Sequence, residues 1–297
     1  MENRFVQARA VSAVCLFLLF EASSFAWQGT QSAAPPVTLP RIDTVDVPGR
    51  TDTAVIGVND HGQIVGWFAD AMHRAHGFLL SKGSFISIDI PGAEQTMLTG
   101  INDSGQIVGE YVDVIGLHGF LWDDGNVTTI DFPGARDTGV GGLNARGQIV
   151  GIYILPNETL HGFLFDDGQF ITIDIPGVFI FPRAINDRGQ IVGRYSAPSD
   201  PGRSHGVLLD KGNFITIDPP GSEFTDPFAI NASGQVVGEQ VIGPTIDGFL
   251  WDRGSFTTID IPGAGLTLPT GINASGQVVG QYFLGGFTHG FSSLIRP

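Results

Sequence analysis

The ten residues Gly-Val-Asn-Asp-His-Gly-Gln-Ile-Val-Gly at 57–66 return in recognisable form at 100–109, 142–151, 184–193, 229–238 and 271–280. The glycine that precedes Gln falls at 62, 105, 147, 189, 234 and 276, giving steps of 43, 42, 42, 45 and 42 residues. A period of that size belongs to solenoids, propellers and arrays, whose units bury their apolar faces only against one another. A residue type present in every copy therefore serves the repeat. Individual function must lie where the copies differ.

Within each period four short strand-like pieces can be read, and no stretch after residue 26 keeps a helical period. The first is β-branched and aromatic and ends in Pro-Gly, at 44–49, 85–92, 127–134, 170–177, 214–221 and 256–263. Glycine there suits the positive-φ position of a type II turn. The second piece ends in Gly/Ala-[Ile/Val/Leu]-Asn. The third is Gln-[Ile/Val]-Val-Gly, usually followed by an aromatic. The fourth is His-Gly-Phe-Leu at His76, His118 and His161, with altered forms at His205, Asp247 and His289.

Loop lengths group these pieces. Asn-x-x-Gly joins the second to the third as a tight hairpin, and Asp-Gly, Lys-Gly or Arg-Gly joins the fourth to the next first piece equally tightly. The step from Pro-Gly to the Gly or Ala before Asn is a nearly constant 7 or 8 residues. Only the link between the third and fourth pieces varies strongly. A constant link suits a crossover whose geometry is dictated, and a variable one suits an exposed hairpin tip. Each blade is then the second, third, fourth and following first piece.

This grouping leaves a lone first piece at 42–49 and a lone fourth piece at 289–294. The predicted fold is an all-β, six-bladed β-propeller of four-stranded antiparallel blades, closed by the N-terminal strand joining the last blade as its outermost strand. Such closure removes free sheet edges. An open β-solenoid is the competing architecture, but the period is longer than most solenoid coils. The second piece should be innermost, with Gly57, Gly100, Gly142, Ala184, Ala229 and Gly271 meeting the crowding near the axis.

The N-terminus reads as an export signal over residues 1–26. Arg4 and Arg9 precede an eleven-residue apolar run at 10–20, and Ser24-Phe25-Ala26 supplies a cleavage site. That run is well short of the ~20 residues a membrane-spanning helix needs. Residues 27–40 read as a flexible linker and 41–297 as the six-repeat domain. Cys15 is the only cysteine and lies inside the signal, so the mature chain has no disulfide, no catalytic thiol and no thiolate metal site. The formal charge of −15 disfavours nucleic acid and anionic membranes as partners.

The segment Ile-Asn-Asp-Ser-Gly-Gln-Ile-Val-Gly at 101–109, followed by His-Gly-Phe-Leu-Trp-Asp at 118–123, resembles the bacterial extracellular repeat proteins of the HAF family. The resemblance covers the chain from residue 42 onward. Glycine stands here where that motif carries alanine, and Ile-Asp-Ile-Pro-Gly replaces a more usual Asp-Leu-Gly strand. The resemblance implies an exported repeat protein and brings no catalytic residues with it.

Several residues invite sharper readings. Asp46, Asp89, Asp131, Asp174, Asp218 and Asp260 recur on strands expected to be packed on both sides, so each needs a bonding partner. The recurrent His76, His118, His161, His205 and His289 supply one, as a structural His–Asp pair. A metal-binding ring of these histidines is the alternative, although one ligand per blade spaces them too widely for a single ion. The four tyrosines, Tyr111, Tyr153, Tyr195 and Tyr282, occupy one repeat position, with Phe68 and Gln240 in the remaining copies. They either pack between blades or form an aromatic rim that stacks on sugars or peptides. The rim reading makes Tyr111, Tyr153, Asn157, Glu158, Tyr195 and Tyr282 the candidate ligand contacts. His73, near Asp70 and Arg74, is a weak non-repeating cluster. The Asn-Asp-x-Gly turns lack the bidentate Glu of an EF-hand.

The function read from these features is a monomeric, exported binding scaffold without a required cofactor. Its partner is an extracellular glycan, peptide or protein, recognised by the variable loops. The alternative is a propeller hydrolase, lactonase or lyase with a divalent cation in the central channel. An enzyme would need non-repeating polar groups converging at the channel, whereas a scaffold would not.

Overall fold

Three kinds of turn, each set by glycine chemistry, fold the chain back at the strand ends other than those joined by the variable loops. In the Asn-x-x-Gly turns the glycines take positive φ, for example +73° at Gly62 and +83° at Gly105. The Asp-Gly and Lys/Arg-Gly turns place both residues at positive φ, as in Asp124 (47°) and Gly125 (88°), the type I′ geometry that matches strand twist. The Pro-Gly turns put Gly92 at +88° and Gly134 at +83°.

The computed structural model describes residues 41–294 apart from 51 and 176, together with the backbone of Val37–Thr38. It is a six-bladed β-propeller of four-stranded antiparallel blades, and the described residues contain no helix. Blade 1 runs Thr53–Val58, Ile64–Ala69, Ala75–Ser81 and Ser84–Ile88, from axis to rim. Blade 2 is Gln95–Ile101, Ile107–Val112, Leu117–Asp123 and Asn126–Ile130. Blade 3 is Asp137–Leu143, Ile149–Ile154, Leu160–Asp166 and Gln169–Ile173. Blade 4 is Phe179–Ile185, Ile191–Ser196, His205–Asp210 and Asn213–Thr216. Blade 5 is Phe224–Ile230, Val236–Ile242, Thr245–Asp252 and Ser255–Asp260. Blade 6 is Leu266–Ile272, Gln277–Leu284 and Phe287–Leu294, and Asp43–Val45 pairs with its last strand as the outer edge.

The blade grouping and the closure thus match the sequence reading. The export signal over 1–26 lies outside the described residues. Two residues of the expected linker, Val37–Thr38, instead pair in parallel with Ile259 and Asp260 and add a fifth strand to blade 5. The expectation that the Asp-bearing strand is packed on both sides is also corrected. It is the rim strand, and in blade 4 all four residues of Asn213–Thr216 are exposed.

Packing between blades forms the core. Phe78, Phe120, Phe163, Phe249 and Phe291, from the fourth piece of five repeats, are fully buried between neighbouring blades. The glycine before each is sterically required: a Cβ at Gly119 would lie 2.4 Å from Val140 Cγ2 and 2.8 Å from the Ile130 carbonyl. At the axis, a Cβ on Gly100 would approach the Gly142 Cα to 3.3 Å, the crowding predicted for these small residues.

Two features were not legible as such. Every innermost strand carries a β-bulge, at Ile56, Thr99, Gly141, Arg183, Phe228 and Thr270. A bulge re-aims its side chain, here within the strand that lines the axis. The Asn of each Asn-x-x-Gly turn also does more than close its hairpin. Its Nδ2 donates to the Asn carbonyl of the next blade: Asn59 to Asn102, Asn102 to Asn144, Asn144 to Asn186, Asn186 to Asn231, Asn231 to Asn273 and Asn273 to Asn59, each at 3.1 Å. A closed belt of buried hydrogen bonds therefore encircles the axis.

Candidate functional site

Antiparallel pairing puts the Asn-x-x-Gly and type I′ turns on one face, the turn face. The variable loops and Pro-Gly crossovers lie on the other, the loop face. The two faces differ in chemistry.

Near the loop face five of the six blades carry a transverse ladder of side chains. His76, His118, His161, His205 and His289 bond through Nδ1 to Asp89, Asp131, Asp174, Asp218 and Asp46, at 3.2, 2.7, 3.0, 2.6 and 2.8 Å. On the other side, the imidazoles stack on Phe68, Tyr111, Tyr153, Tyr195 and Tyr282, with ring centroids 5.0–5.4 Å apart. Cross-strand register alone brings these three positions together. Blade 5 breaks the ladder, because Gln240 and Asp247 replace the aromatic and the histidine. Burial, together with the nearby Asp260 carboxylate, pushes the Asp247 pKa up.

The ladder corrects the aromatic rim. Tyr153 and Tyr282 are 5% and 9% exposed, and Tyr153 lies flat against Phe132 and bonds Thr172 through its hydroxyl. Tyr111 and Tyr195 are half-buried against their histidines. Each of the four rings is stacked on its histidine, and in Tyr153 and Tyr282 burial leaves no open face to a ligand. Of the six candidate contacts only Asn157 and Glu158 are exposed. Asn157 accepts from the Thr159 backbone N–H, and Glu158 pairs with Arg136.

The variable loops are organised by acidic side chains. Asp70 accepts from the backbone N–H groups of Met72 and Arg74 and from the Arg74 guanidinium, and these bonds hold its carboxyl far below the usual range. Loop geometry thus accounts for the cluster around His73, which itself sits at φ 60°. Asp113 serves likewise through Ile115 and Gly116, which lowers its pKa. Asp200 reaches His205 Nε2 at 3.2 Å. Burial opposes charge on His205, but its bonds to Asp218 and Asp200 prevail and raise its pKa.

These loops also display apolar side chains. Met72 is 72% exposed, Val114 90% and Ile115 80%. Phe283, Leu284 and Phe287 are exposed around the Gly285-Gly286 hairpin tip. The tips belong to blades 6, 1 and 2, which are consecutive around the ring. Blades 3 and 4 present polar tips instead.

Charged groups gather near the axis in blades 4 and 5, with the buried Glu110 of blade 2 at the repeat position of Glu239. The bulge residue Arg183 reaches across to Asp226 of the next blade, with Nη2 at 2.7 Å. Arg194 Nε lies 3.2 Å from the same carboxylate, and its guanidinium sits 4.0 Å from the Phe181 ring centroid. Asp226 is 2% exposed. Beside it Glu239 is pushed up to about 8 by burial and by the Asp226 charge, with the two arginines opposing. Gly139 and Gly141 of blade 3 leave a narrow recess against Arg183 and Arg194. Sequence reasoning missed this cluster because Arg183 and Asp226 lie 43 residues apart, at different positions of the repeat, and no local turn brings them together.

On the turn face, a cleft of about 320 Å³ opens between blades 4 and 5, lined by Arg188, Gln190, Leu208, Ser233, Gly234, Trp251 and Arg253. No group of three or more His, Cys, Asp or Glu side chains among the described residues is arranged to hold a metal ion. Nor is any helix among them long and apolar enough to cross a membrane.

No family model and no curated protein matches the chain. Among solved structures, it resembles a Dyadobacter fermentans protein of unknown function at 11% identity, over 89% of this chain and 100% of that one, with a TM-score of 0.55. Virginiamycin B lyase of Staphylococcus aureus matches at 13% identity over 86% and 99% of the two chains, TM-score 0.50. A lectin of Aleuria aurantia, solved with Fucα1-6GlcNAc, matches at 12% identity over 82% and 93%, TM-score 0.51. At such identities the likeness is one of fold alone.

Proposed function

We propose that this chain is an exported interaction scaffold of the kind its repeat motifs resemble, docking a peptide or protein partner on the loop face. The observation that carries this reading is the arc of exposed apolar tips on blades 6, 1 and 2: Met72, Val114, Ile115, Phe283, Leu284 and Phe287. Hairpin tips are tolerant of polar residues, so large apolar ones on three consecutive blades cost solubility and mark a surface that is covered in use. With a formal charge of −15 on the chain, the complementary partner is apolar and basic.

A peptide-display selection on the immobilised protein tests this, with counter-selection on the V114S/I115S/F287S variant. Selected peptides should bind wild type in calorimetry, lose at least about tenfold in affinity for the variant, and protect the loops of blades 6, 1 and 2 from hydrogen exchange. Peptides that bind both proteins equally, or that protect the turn face, would overturn the reading.

The axial cluster favours a second reading, as an acid–base enzyme. Glu239, with its pKa near 8 and two arginines beside it, is the group that would move a proton. Turnover abolished by E239Q at unchanged melting temperature would replace the scaffold reading with this one.

A further inference from the structure

From the cleft between blades 4 and 5 we infer a second, independent site, on the turn face, for a sugar carrying a carboxylate. This goes beyond the loop-face reading and uses none of its residues.

The junction that holds the cleft, where a blade's Asn-x-x-Gly turn meets the third strand and type I′ turn of the next blade, recurs around the ring. Its three lining positions can therefore be compared around the ring. The turn position is His61, Ser104, Arg146, Arg188, Ser233 or Ser275. Arg146 shows that a long side chain there reaches the following blade, since its Nη2 lies 3.3 Å from where a Cβ on Gly189 would stand. The third-strand position, paired with the first residue of the second strand or its equivalent, is Leu80, Trp122, Phe165, Leu209, Trp251 or Ser293. The type I′ position is Lys82, Asp124, Asp167, Lys211 or Arg253.

The combinations differ between clefts. Trp122 faces a cleft with His61 and Asp124, where the charge at the type I′ turn is negative. Arg146 shares its cleft with Lys211 but with Leu209 in place of an aromatic. Two arginines and a tryptophan coincide only between blades 4 and 5, and that is where the cleft of about 320 Å³ lies.

The chemistry of the lining follows from its contacts. Arg188 and Arg253 are exposed and stand at the rim. Asp252 pairs with Arg253 only loosely, at 3.8 Å from its Nε, and Asp210 accepts from Gln190 Nε2 at 3.1 Å. Gln190 is held further by the Asn186 amide, so it forms a fixed wall. Trp251 is half-buried against the core between the blades, which leaves part of its indole toward the cleft.

In a chain of charge −15, two exposed guanidiniums at one rim, one of them only loosely paired with Asp252, select an anion. A guanidinium matches a carboxylate bidentately. The indole face adds stacking area for an apolar ring face, which a sugar ring offers and an inorganic anion does not. The volume stands at the low end of the range for small-molecule sites, about 300–1,000 Å³, and so admits one or two sugar rings.

Calorimetric titration of the whole protein with D-galacturonate, D-galactose and sodium sulfate separates the possibilities. Galacturonate should bind saturably and galactose about tenfold more weakly or not at all. R188Q and R253Q should each weaken galacturonate binding about tenfold, with melting temperatures unchanged because both side chains are exposed. W251F should remove the tryptophan fluorescence change that galacturonate causes, while V114S/I115S/F287S should bind it as wild type does. Equal binding of galactose and galacturonate, or unaltered binding by both arginine variants, would overturn the assignment. So would binding of sulfate as tight as that of galacturonate, or no saturable binding at all.

Discussion

Replacing Asn144 by alanine should cost far more than turn chemistry alone would ask. The side chain is 3% exposed and makes four hydrogen bonds. Its Oδ1 accepts from the backbone N–H groups of Arg146 and Gln148, both at 3.0 Å. Its Nδ2 donates to Gln148 Oε1 at 2.8 Å and to the Asn186 carbonyl of blade 4 at 3.1 Å. Each bond contributes about 0.5–1.5 kcal/mol net, and a buried acceptor left without a donor costs about 1–3 kcal/mol. Water can reach the exposed side of the turn at Arg146 but not the Asn186 carbonyl. The expected loss is therefore about 2–4 kcal/mol, or roughly 5–15 °C in melting temperature for a domain of this size.

The aspartate variant separates belt from turn. N144D keeps the acceptor for the two backbone N–H groups but turns an oxygen toward Gln148 Oε1 and the Asn186 carbonyl. Its carboxylate is disfavoured in the fold, so its folded pKa rises above the unfolded value near 3.9. The penalty is then absent below the unfolded pKa, where the protonated acid donates to Asn186, and grows as pH rises toward the folded pKa. Urea melts of wild type, N144A and N144D at pH 4 and pH 7 measure this. N144A should show the same deficit at both, and N144D a deficit that shrinks at pH 4. The exposed Asn157, which stabilises only its own loop, should lose under about 0.5 kcal/mol on change to alanine. An N144A cost as small as that of N157A, or an N144D penalty independent of pH, would refute the belt as a tie between blades.

Restoring the broken ladder in blade 5 by D247H should pair a histidine with Asp260 and raise stability by about 0.5–2 kcal/mol, read as a shift in denaturation midpoint. Because the folded pKa of Asp247 is raised, its carboxylate weakens wild type increasingly as pH rises above the unfolded carboxylate range, so the charge-removing change D247N should gain more at pH 7 than at pH 4. His205 has its folded pKa raised above 6.5, so its contribution is complete below that pH and is lost as pH climbs through the folded pKa. NMR titration should show its pKa fall in D218N. Deleting 41–49 should expose the edge of Phe287–Leu294, strip Val45, Val47 and Asp46 from their partners and promote aggregation in light scattering. Deleting 27–38 should do little by the same measure, and its main loss would be the short parallel pairing of Val37–Thr38.

Much of the architecture was legible in the chain because it rests on local rules. Asn-x-x-Gly, Lys82-Gly83 or Asp124-Gly125, and Pro91-Gly92 each prescribe a turn through the φ their glycines adopt, so strand order and closure followed from counting residues between turns. The His–Asp pairing of residues 118 and 131 was legible too, because two strands joined by a two-residue turn have fixed register. The burial of that pair was misjudged, since which strand of four becomes the rim and how far it meets solvent is a property of the stacked ring. The same limit hid the tyrosines' role: Tyr153 recurs at the position of an open rim, but Phe132 from the neighbouring crossover covers it.

What the tertiary structure alone decided lies between blades. Arg183 finds Asp226, Asn273 finds Asn59, and Arg188 comes to face Trp251 and Arg253, though none of these pairs is set by any local turn. The repeat dictates what each blade is, because backbone dihedrals and strand pairing act over a few residues. It does not dictate what one blade shows the next, because that depends on the twist of each sheet, the bulge that re-aims one side chain, and the packing angle at which Phe and Val side chains interlock. The repeating interface can be inferred once the ring is known. The departures from it, which carry the charge and the clefts, become sites only when the ring sets side by side residues that the sequence keeps 43 to 65 apart.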